Sequence, residues 1–259
     1  PAVAANGRIY VVGSAAREGL GALYALDVEP SAAGLSLKEA FVTNIGLGSG
    51  SSPALAPDER HVYVSDEEGW FYSIDARTGA MVWKVKTKAA AGAAAVGRDG
   101  TIYALQARAP AVVAIDPQGN VLWQSDFSEL IPQDLPSSLL FGEPVAAGNG
   151  NPTVVSNAVL VPVVYGYTVP VLGFTAPVRS VVAALDLETG RAVHDVVTLP
   201  GDSSGITAML PNGAIVSSIG DALTSAVSPL QPIMDMLLPG DLEMMKSVGG
   251  IQVALPVRD

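Results

Sequence analysis

The sequence predicts an all-β fold made of repeated four-stranded antiparallel sheets, and three observations support it. Short β-type runs recur along the chain, with turn-forming residues between them. Several runs end in aspartate, and the turn that follows leads into a further run that carries tryptophan in two copies. Variants of the whole unit return along the chain, which is typical of repeat proteins whose single units cannot bury their apolar faces alone.

The clearest copy extends from Ser52 to Val85. Pro57-Asp58 favours a turn because proline fixes φ and aspartate bonds its own backbone. Gly79 supplies the positive φ that a tight hairpin turn requires. Between these turns lie four β-type runs, which together predict one up-and-down sheet: Pro53–Ala56, His61–Ser65, Trp70–Ile74 and Met81–Val85.

The second run of the unit is present five times, each time after a turn-forming pair of residues. We expect these runs to be equivalent strands of successive sheets: Ile9–Val12, His61–Ser65, Thr101–Leu105, Val159–Val163 and Ala214–Ser217.

The third run ends in aspartate in four copies, at Asp27, Asp75, Asp116 and Asp186. The fourth run places Trp83, Trp123 and His194 at the same point after the turn. The first copy lacks this tryptophan, and we expect its fourth strand near Ala40–Thr43. The fifth copy stops after its third run, and we expect sequence upstream of Pro1 to account for the incomplete repeat.

The stretch Ile74–Trp83 resembles the repeat of quinoprotein-type β-propellers, in which an apolar residue and aspartate precede Thr-Gly and tryptophan. Leu185–His194 and Ile115–Trp123 are weaker matches to the same pattern. The family includes pyrroloquinoline-quinone (PQQ) alcohol dehydrogenases and a bacterial outer-membrane assembly lipoprotein. The resemblance implies a β-propeller of four-stranded antiparallel blades, with five repeats visible out of a ring of about seven or eight.

The same resemblance implies roles for the residues of the fourth strand. Trp83 and Trp123 would dock one blade on the next, and His194 would be a structural substitute for the docking tryptophan rather than a metal ligand. The dehydrogenases hold their quinone against a disulfide of adjacent cysteines, with calcium and a catalytic aspartate. This chain has no cysteine, and no quinone or calcium ligand maps onto it. We therefore expect no cofactor, unless upstream sequence completes a site for PQQ and calcium.

Composition narrows the classes of partner. The net charge of −11 and the pI near 4.5 argue against binding to nucleic acid or to anionic lipid, because like charges repel. The uncharged stretch Pro144–Val178 contains several prolines and is rich in valine, so it predicts buried strands and a loop rather than a membrane-spanning helix. A periplasmic or extracellular location follows from the family resemblance alone.

Three motifs suggest chemistry that their context does not support. Gly201–Gly205 has the spacing of a hydrolase nucleophile elbow, but β-type runs flank it where the elbow requires a following helix. Gly46–Gly50 resembles a phosphate loop without its lysine or helix. Asp66–Gly69 lacks the alternating oxygen ligands of a calcium loop and is typical of a hairpin turn.

Two insertions interrupt the repeat at the same connection, between the second and third strands. Tyr165–Val178 lies in the fourth copy, and Ile219–Gly249 lies in the fifth and includes a short helix near Pro232–Leu237. We expect the insertions to be neighbours on one face. Their apolar residues would form an exposed surface for a protein or hydrophobic ligand, or would pack over the propeller itself: Tyr165, Tyr167, Phe174, Met234, Met236, Leu237, Leu238, Met244 and Met245.

The sequence therefore predicts a non-catalytic β-propeller that acts as a binding or assembly module of an exported bacterial protein. Its partner would be another protein or the remainder of the same chain. The alternative is a fragment of a quinoprotein dehydrogenase whose active site lies partly upstream.

Overall fold

The computed structural model describes residues 1–15, 19–31, 34–48, 51–87, 94–106, 111–148, 150–169, 174–201, 205–220, 228–246 and 248–256. These residues form five antiparallel sheets, which we call blades 1 to 5. The chain divides into two compact units, Pro1–Gln124 and Ser125–Asp259. The organisation of the whole chain as one domain, expected from the sequence, stays a prediction.

The first unit contains blades 1, 2 and 3, each an up-and-down sheet with its strands paired in chain order. Blade 1 is formed by β1 (Ala2–Val3), β2 (Ile9–Ser14), β3 (Leu20–Ser31) and β4 (Gly34–Leu47). Blade 2 is formed by β5 (Ala54–Leu55), β6 (His61–Ser65), β7 (Trp70–Asp75) and β8 (Met81–Lys86). Blade 3 is formed by β9 (Ala95–Val96), β10 (Ile102–Gln106), β11 (Ala111–Ile115) and β12 (Val121–Asp126).

The second unit contains blades 4 and 5 and the helical segments. Blade 4 is formed by β13 (Val145–Gly148), β14 (Thr153–Val154), β15 (Ala158–Val169), β16 (Phe174–Asp186) and β17 (Ala192–Leu199). Both β13 and β14 pair with β15. Blade 5 is formed by β18 (Thr207–Met209), β19 (Ile215–Ile219) and β20 (Gly250–Ala254). Short 3-10 helices span Phe127–Leu130 and Ser228–Leu230, and the α-helix α1 spans Gln231–Leu237.

The blades confirm the predicted fold class, because the five predicted second strands lie in five separate sheets as β2, β6, β10, β15 and β19. The fourth strand predicted near Ala40–Thr43 lies within β4. These sheets are the blades of a β-propeller fold.

Side-chain caps explain the turn before the second strand in four of the five blades. In four blades an Asn or Asp oxygen accepts a hydrogen bond from the backbone N–H two residues later; these residues are Asn6, Asp58, Asp99 and Asn212. The next residue has a positive φ, and three of the four blades use glycine there. Blade 2 instead uses Glu59, with φ of 56°. Its carboxylate accepts hydrogen bonds at 3.0 Å from the backbone N–H of Ala5 in blade 1.

Aspartate at the end of the third strand closes the turn into the fourth. Asp75 Oδ1 accepts hydrogen bonds from the Thr78 hydroxyl and the Thr78 backbone N–H, both at 2.7 Å. These bonds lower the pKa of Asp75 because they stabilise its charged form. Asp186 makes the same two contacts with Thr189, with the same lowering of its pKa. The Asp-x-x-Thr-Gly pattern is thus a capped turn.

The blades pack face to face because successive strand residues point to opposite sides of a sheet. Val62 and Ile74 of blade 2 pack against Tyr10 and Leu23 of blade 1. The opposite face of blade 2 packs on Ile102 and Ile115 of blade 3 through Tyr63 and Phe71. In the second unit, Leu160 and Val182 of blade 4 pack on Ile215 and Ile219 of blade 5.

The insertion Tyr165–Val178 consists largely of paired strand in the structure. Its described residues mostly lengthen the blade 4 hairpin, with Tyr167 opposite Ala176 and Val169 opposite Phe174. Valine-rich runs with tyrosine favour strands, so pairing continues beyond the length of the other blades. Residues 170–173 lie outside the described residues. In the second insertion, the predicted helix near Pro232–Leu237 is confirmed as α1.

Candidate protein-binding surface

The two insertions meet in one hydrophobic cluster of the second unit. Its buried members come from the long hairpin of blade 4 and from α1 and the segment after it: Tyr167, Val169, Ala176, Met234, Leu238 and Met244. The expectation that the insertions are neighbours therefore agrees with this packing.

Hydrogen bonds fix the segment after α1 against the helix and the hairpin. Asp235 Oδ1 accepts a hydrogen bond from the Met244 backbone N–H at 2.7 Å, and Gln231 Nε2 donates to the Met244 carbonyl at 3.2 Å. The Met245 backbone N–H donates to the Pro177 carbonyl on β16 at 2.7 Å. The Tyr167 hydroxyl donates to the Pro136 carbonyl at 2.6 Å, and burial raises the pKa of Tyr167. These hydrogen bonds join the segment after α1 to the helix and to β16, and join the hairpin to the segment that precedes blade 4.

Most of the predicted surface residues are in fact buried. Tyr165 and Tyr167 are fully buried, and Met234, Leu238 and Met244 are nearly so. The expectation that they form an exposed patch is wrong for these five residues. Four of them, Tyr167, Met234, Leu238 and Met244, are buried where the second insertion packs on the lengthened hairpin. Met245 is half-buried. The side chain of Phe174 lies outside the described residues.

The exposed part of the predicted surface lies on α1. Ile233, Met236 and Leu237 leave 54%, 80% and 39% of their surfaces in contact with solvent. We call these three residues the α1 strip. Met234 and Leu238 anchor the same segment in the cluster, so the strip is held on a packed base. An exposed apolar strip on a fixed helix is a feature of protein-binding surfaces.

Two further exposed apolar residues, Leu139 and Leu140, were not predicted from the sequence. Both are exposed, whereas their neighbour Phe141 packs against the buried cluster. The turn that carries them is closed by backbone hydrogen bonds between Ser138 and Gly142 at 2.8 and 2.9 Å. The run Ser-Leu-Leu-Phe-Gly, apolar residues flanked by turn formers, was the available signal.

Of the fourth-strand tryptophans, Trp83 contacts the next blade, whereas the ring contact of Trp123 is with its own blade. Trp83 of blade 2 is half-buried, and its Nε1–H donates to the Pro117 carbonyl in the turn of blade 3 at 2.9 Å. Trp123 is buried, and its ring centroid lies 5.7 Å from that of Tyr103. Trp83 thus contacts the next blade, and the docking role implied for it by the family resemblance stays a prediction. His194 lies opposite Ala184 in the blade 4 ladder, but its side chain lies outside the described residues.

The acidic turn of blade 2 has a structural role. Asp66 is buried and accepts hydrogen bonds from the Tyr72 hydroxyl at 2.5 Å and from the Trp70 backbone N–H at 2.9 Å. Burial, together with Asp66, raises the pKa of Tyr72. The Tyr72 hydroxyl also accepts a hydrogen bond from the Gly46 N–H, where a Cβ atom would lie 2.1 Å from Asp66 Oδ2. This contact explains one glycine of the Gly46–Gly50 stretch.

In the described part of the chain, no three His, Asp or Glu side chains are grouped so as to hold a metal ion. The serine of the Gly201–Gly205 motif lies outside the described residues, as do Ser49 and Gly50. No helix in the described part of the chain has the length and hydropathy needed to span a membrane.

Comparison with known proteins gives the family. The family model described as "Outer membrane protein assembly factor BamB" matches residues 1–203. BamB of Nitrosomonas eutropha is 38% identical over 68 residues, which are 26% of this chain and 16% of the relative. BamB of Burkholderia pseudomallei is 32% identical over 93 residues, which are 35% of this chain and 24% of the relative. The matches thus span less than a quarter of either relative's length.

Two solved structures show similarity at low identity. BamB from Moraxella catarrhalis is 16% identical with a TM-score of 0.39, over 74% of this chain and 71% of that chain. The quinohemoprotein alcohol dehydrogenase ADHIIG from Pseudomonas putida HK5 is 20% identical with a TM-score of 0.46, over 66% of this chain and 28% of that chain. Because the family model covers most of the residues, the chain belongs to the BamB family of PQQ-like repeat proteins.

Proposed function

We propose that this chain is a non-catalytic β-propeller module that binds proteins during outer-membrane protein assembly, in the periplasm. The name of the matching family and of both curated relatives supports the assembly role. The observation that carries the proposal is the α1 strip, which is exposed to solvent although the helix that bears it is anchored by buried residues.

The chemistry of the strip suits a protein partner. Ile233, Met236 and Leu237 are apolar, and methionine adapts to partner surfaces of different shapes because its side chain is unbranched and flexible. Asp235, between them, is engaged with the backbone of Met244. The chain's net charge of −11 keeps it away from anionic lipid surfaces and favours a neutral or basic partner.

A genetic experiment tests the assembly role. Deleting the encoding gene in its source bacterium should lower the amount of folded outer-membrane β-barrel proteins, measured by their heat-modifiable migration on gels. Expression of the intact gene should restore that amount, and expression of Met236→Asp should restore it less well. Unchanged levels of folded β-barrel proteins after deletion would contradict the proposal.

A further inference from the structure

Acidic residues are concentrated in the second unit of the chain. The first unit has 12 Asp and Glu residues against 10 Lys and Arg residues, whereas the second unit has 13 against 4. The segments that carry the exposed apolar residues follow this trend. Residues 126–143 contain four carboxylates and no lysine or arginine, and residues 228–246 contain three carboxylates and one lysine. The exposed apolar residues therefore lie on segments with a net negative charge.

The α1 strip and the exposed pair of Leu139 and Leu140 are fixed on one base. Phe141, which follows the pair, packs against the same buried cluster that anchors α1. Backbone hydrogen bonds between Ser138 and Gly142 close the turn that carries the pair. Both groups of exposed apolar side chains are therefore held beside the same cluster.

The segment after α1 alternates acidic and apolar residues. Leu242 packs against the cluster and Met244 is buried within it, whereas Asp241 and Glu243 are exposed. The alternation thus directs the apolar side chains towards the blade and both carboxylates towards solvent. Lys246, the basic residue of this segment, is exposed as well.

Glu143 adds a third exposed carboxylate beside the cluster. It accepts a hydrogen bond from the Ser137 hydroxyl at 2.7 Å. Burial and, after it, the charge of Glu143 raise the pKa of Tyr167, which is a member of the cluster. Within the described ranges, none of the carboxylates of Glu143, Asp241 and Glu243 forms an ion pair. We call the α1 strip, Leu139 and Leu140, together with these three carboxylates, the acidic-rimmed surface.

We propose that the acidic-rimmed surface binds a segment of a partner protein whose apolar residues are flanked by lysine or arginine. The apolar side chains of that segment cover the α1 strip and the leucine pair, and its cations meet the three carboxylates. Charge complementarity speeds association and disfavours partners of like charge. Anionic lipid, nucleic acid and a second copy of this acidic unit are therefore disfavoured as occupants. The inference rests on the proposed function and specifies the class of its protein partner.

Three labelled peptides test the choice of partner. The probe is the fluorescein-labelled peptide KLAKLVKALK. One comparison peptide replaces each lysine with glutamate, and the other replaces each leucine and valine with serine. Fluorescence anisotropy with the full chain should show saturable binding of the probe and binding of both comparison peptides that is about tenfold weaker or more. Raising the NaCl concentration from about 50 mM to about 500 mM should weaken binding of the probe, because salt screens exposed charges.

Substitution of exposed apolar residues locates the binding site. Met236→Ser on the α1 strip and Leu139→Ser in the turn should each weaken binding of the probe by about fivefold, because each removes apolar surface that the partner covers. Met209→Ser on β18 is the matched control, since Met209 is also exposed and lies in the same unit, and it should leave binding unchanged.

Neutralisation of the carboxylates tests the contribution of charge. Asp241→Asn with Glu243→Gln should weaken binding of the probe by about fivefold. The matched control is Glu39→Gln with Glu188→Gln, which removes two exposed carboxylates elsewhere and should weaken binding by less than about twofold. Circular dichroism of each variant excludes unfolding as the cause.

Several outcomes would overturn the inference. These are absence of saturable binding, equal binding of either comparison peptide, and equal weakening by a variant and its control. Oxidation by hydrogen peroxide tests whether the chain covers its own surface. In the complete gene product, Met236 should be oxidised faster than the buried Met234. Protection of both methionines would identify the same chain as the occupant and would also overturn the inference.

The inference and the proposed function can fail separately. Binding of the probe without any effect of gene deletion on folded outer-membrane proteins would sink the proposed function and leave this inference standing. An effect of gene deletion without selective binding of the probe would overturn this inference alone.

Discussion

The indole Nε1–H of Trp83 donates a hydrogen bond to the Pro117 carbonyl at 2.9 Å, which joins the fourth strand of blade 2 to the turn of blade 3. The ring also lies over Gly119, where a Cβ atom would lie 2.9 Å from it. Phe41 of blade 1 has the same relationship to Gly79 of blade 2. An aromatic residue over the turn glycine of the next blade is therefore a repeated contact between blades in the first unit.

Substitution of Trp83 should destabilise the first unit. Trp83→Ala removes a half-buried aromatic side chain and a hydrogen bond, and we expect a loss of roughly 3 kcal/mol in the free energy of unfolding. Trp83→Phe keeps most of the packing and should cost about 1 kcal/mol. Urea denaturation followed by circular dichroism measures both. Val82→Ala is the control, because Val82 lies next to Trp83 on the same strand and is exposed to solvent. A loss below about 1 kcal/mol for Trp83→Ala would show that the contact does not dock the blades.

Replacement of Glu59 by glycine should destabilise the fold less than replacement by alanine. Its φ of 56° costs a residue with a Cβ atom about 1 kcal/mol, which glycine avoids. Both substitutions remove the hydrogen bonds to Ala5, so only the backbone term differs. We expect Glu59→Ala to be less stable than Glu59→Gly by about 1 kcal/mol in urea denaturation. Equal stability of the two variants would contradict this explanation of the turn.

The capped turns should make stability depend on pH. The Thr78 contacts lower the pKa of Asp75 in the folded chain below its unfolded value, which is about 3.9. The stabilisation is therefore present above about pH 4 and is lost as the pH falls through the folded pKa. Thr78→Val removes the hydroxyl donor and should move the acid-unfolding midpoint to higher pH, measured by circular dichroism between about pH 2 and 7. Thr43→Val is the matched control, because its hydroxyl donates to the uncharged Gly79 carbonyl. A midpoint that moves equally in both variants would be inconsistent with titration of Asp75.

Two methionines of α1 should differ in their contribution to stability. Met234 is buried in the hydrophobic cluster, and Met234→Ala should cost about 2–5 kcal/mol. Met236 is exposed, and Met236→Ala should change stability by no more than about 0.5 kcal/mol. Deletion of Gln231–Lys246 should likewise destabilise the second unit, because it removes Met234, Leu238 and Met244 from the cluster. Equal effects of the two methionine substitutions in chemical denaturation would show that α1 is not packed as described.

Local patterns predicted the strands and turns because they depend on residues close in sequence. Asp75 and Thr78 determine a turn by themselves, and the alternation in His61–Ser65 is sufficient to indicate a strand. The contact of Phe41 with Gly79 was missed because no tryptophan marks that position, although the strand of Phe41 was predicted. In contrast, burial of Tyr167 and Met244 depends on contact between segments far apart in the chain. Composition alone could not decide whether those residues cover the blade or face a partner.

Site-specific photo-cross-linking tests the central claim most directly, namely that the α1 strip contacts a partner protein. A photoreactive amino acid is introduced into the full chain at position 236, on the strip, and in a second variant at position 188. Glu188 is exposed in the turn between β16 and β17 of the same unit, so it serves as the matched control. We expect irradiation of living cells to cross-link position 236, but not position 188, to an outer-membrane protein or a component of its assembly machinery. Absence of a cross-link at 236, or the same products from both positions, would contradict the account.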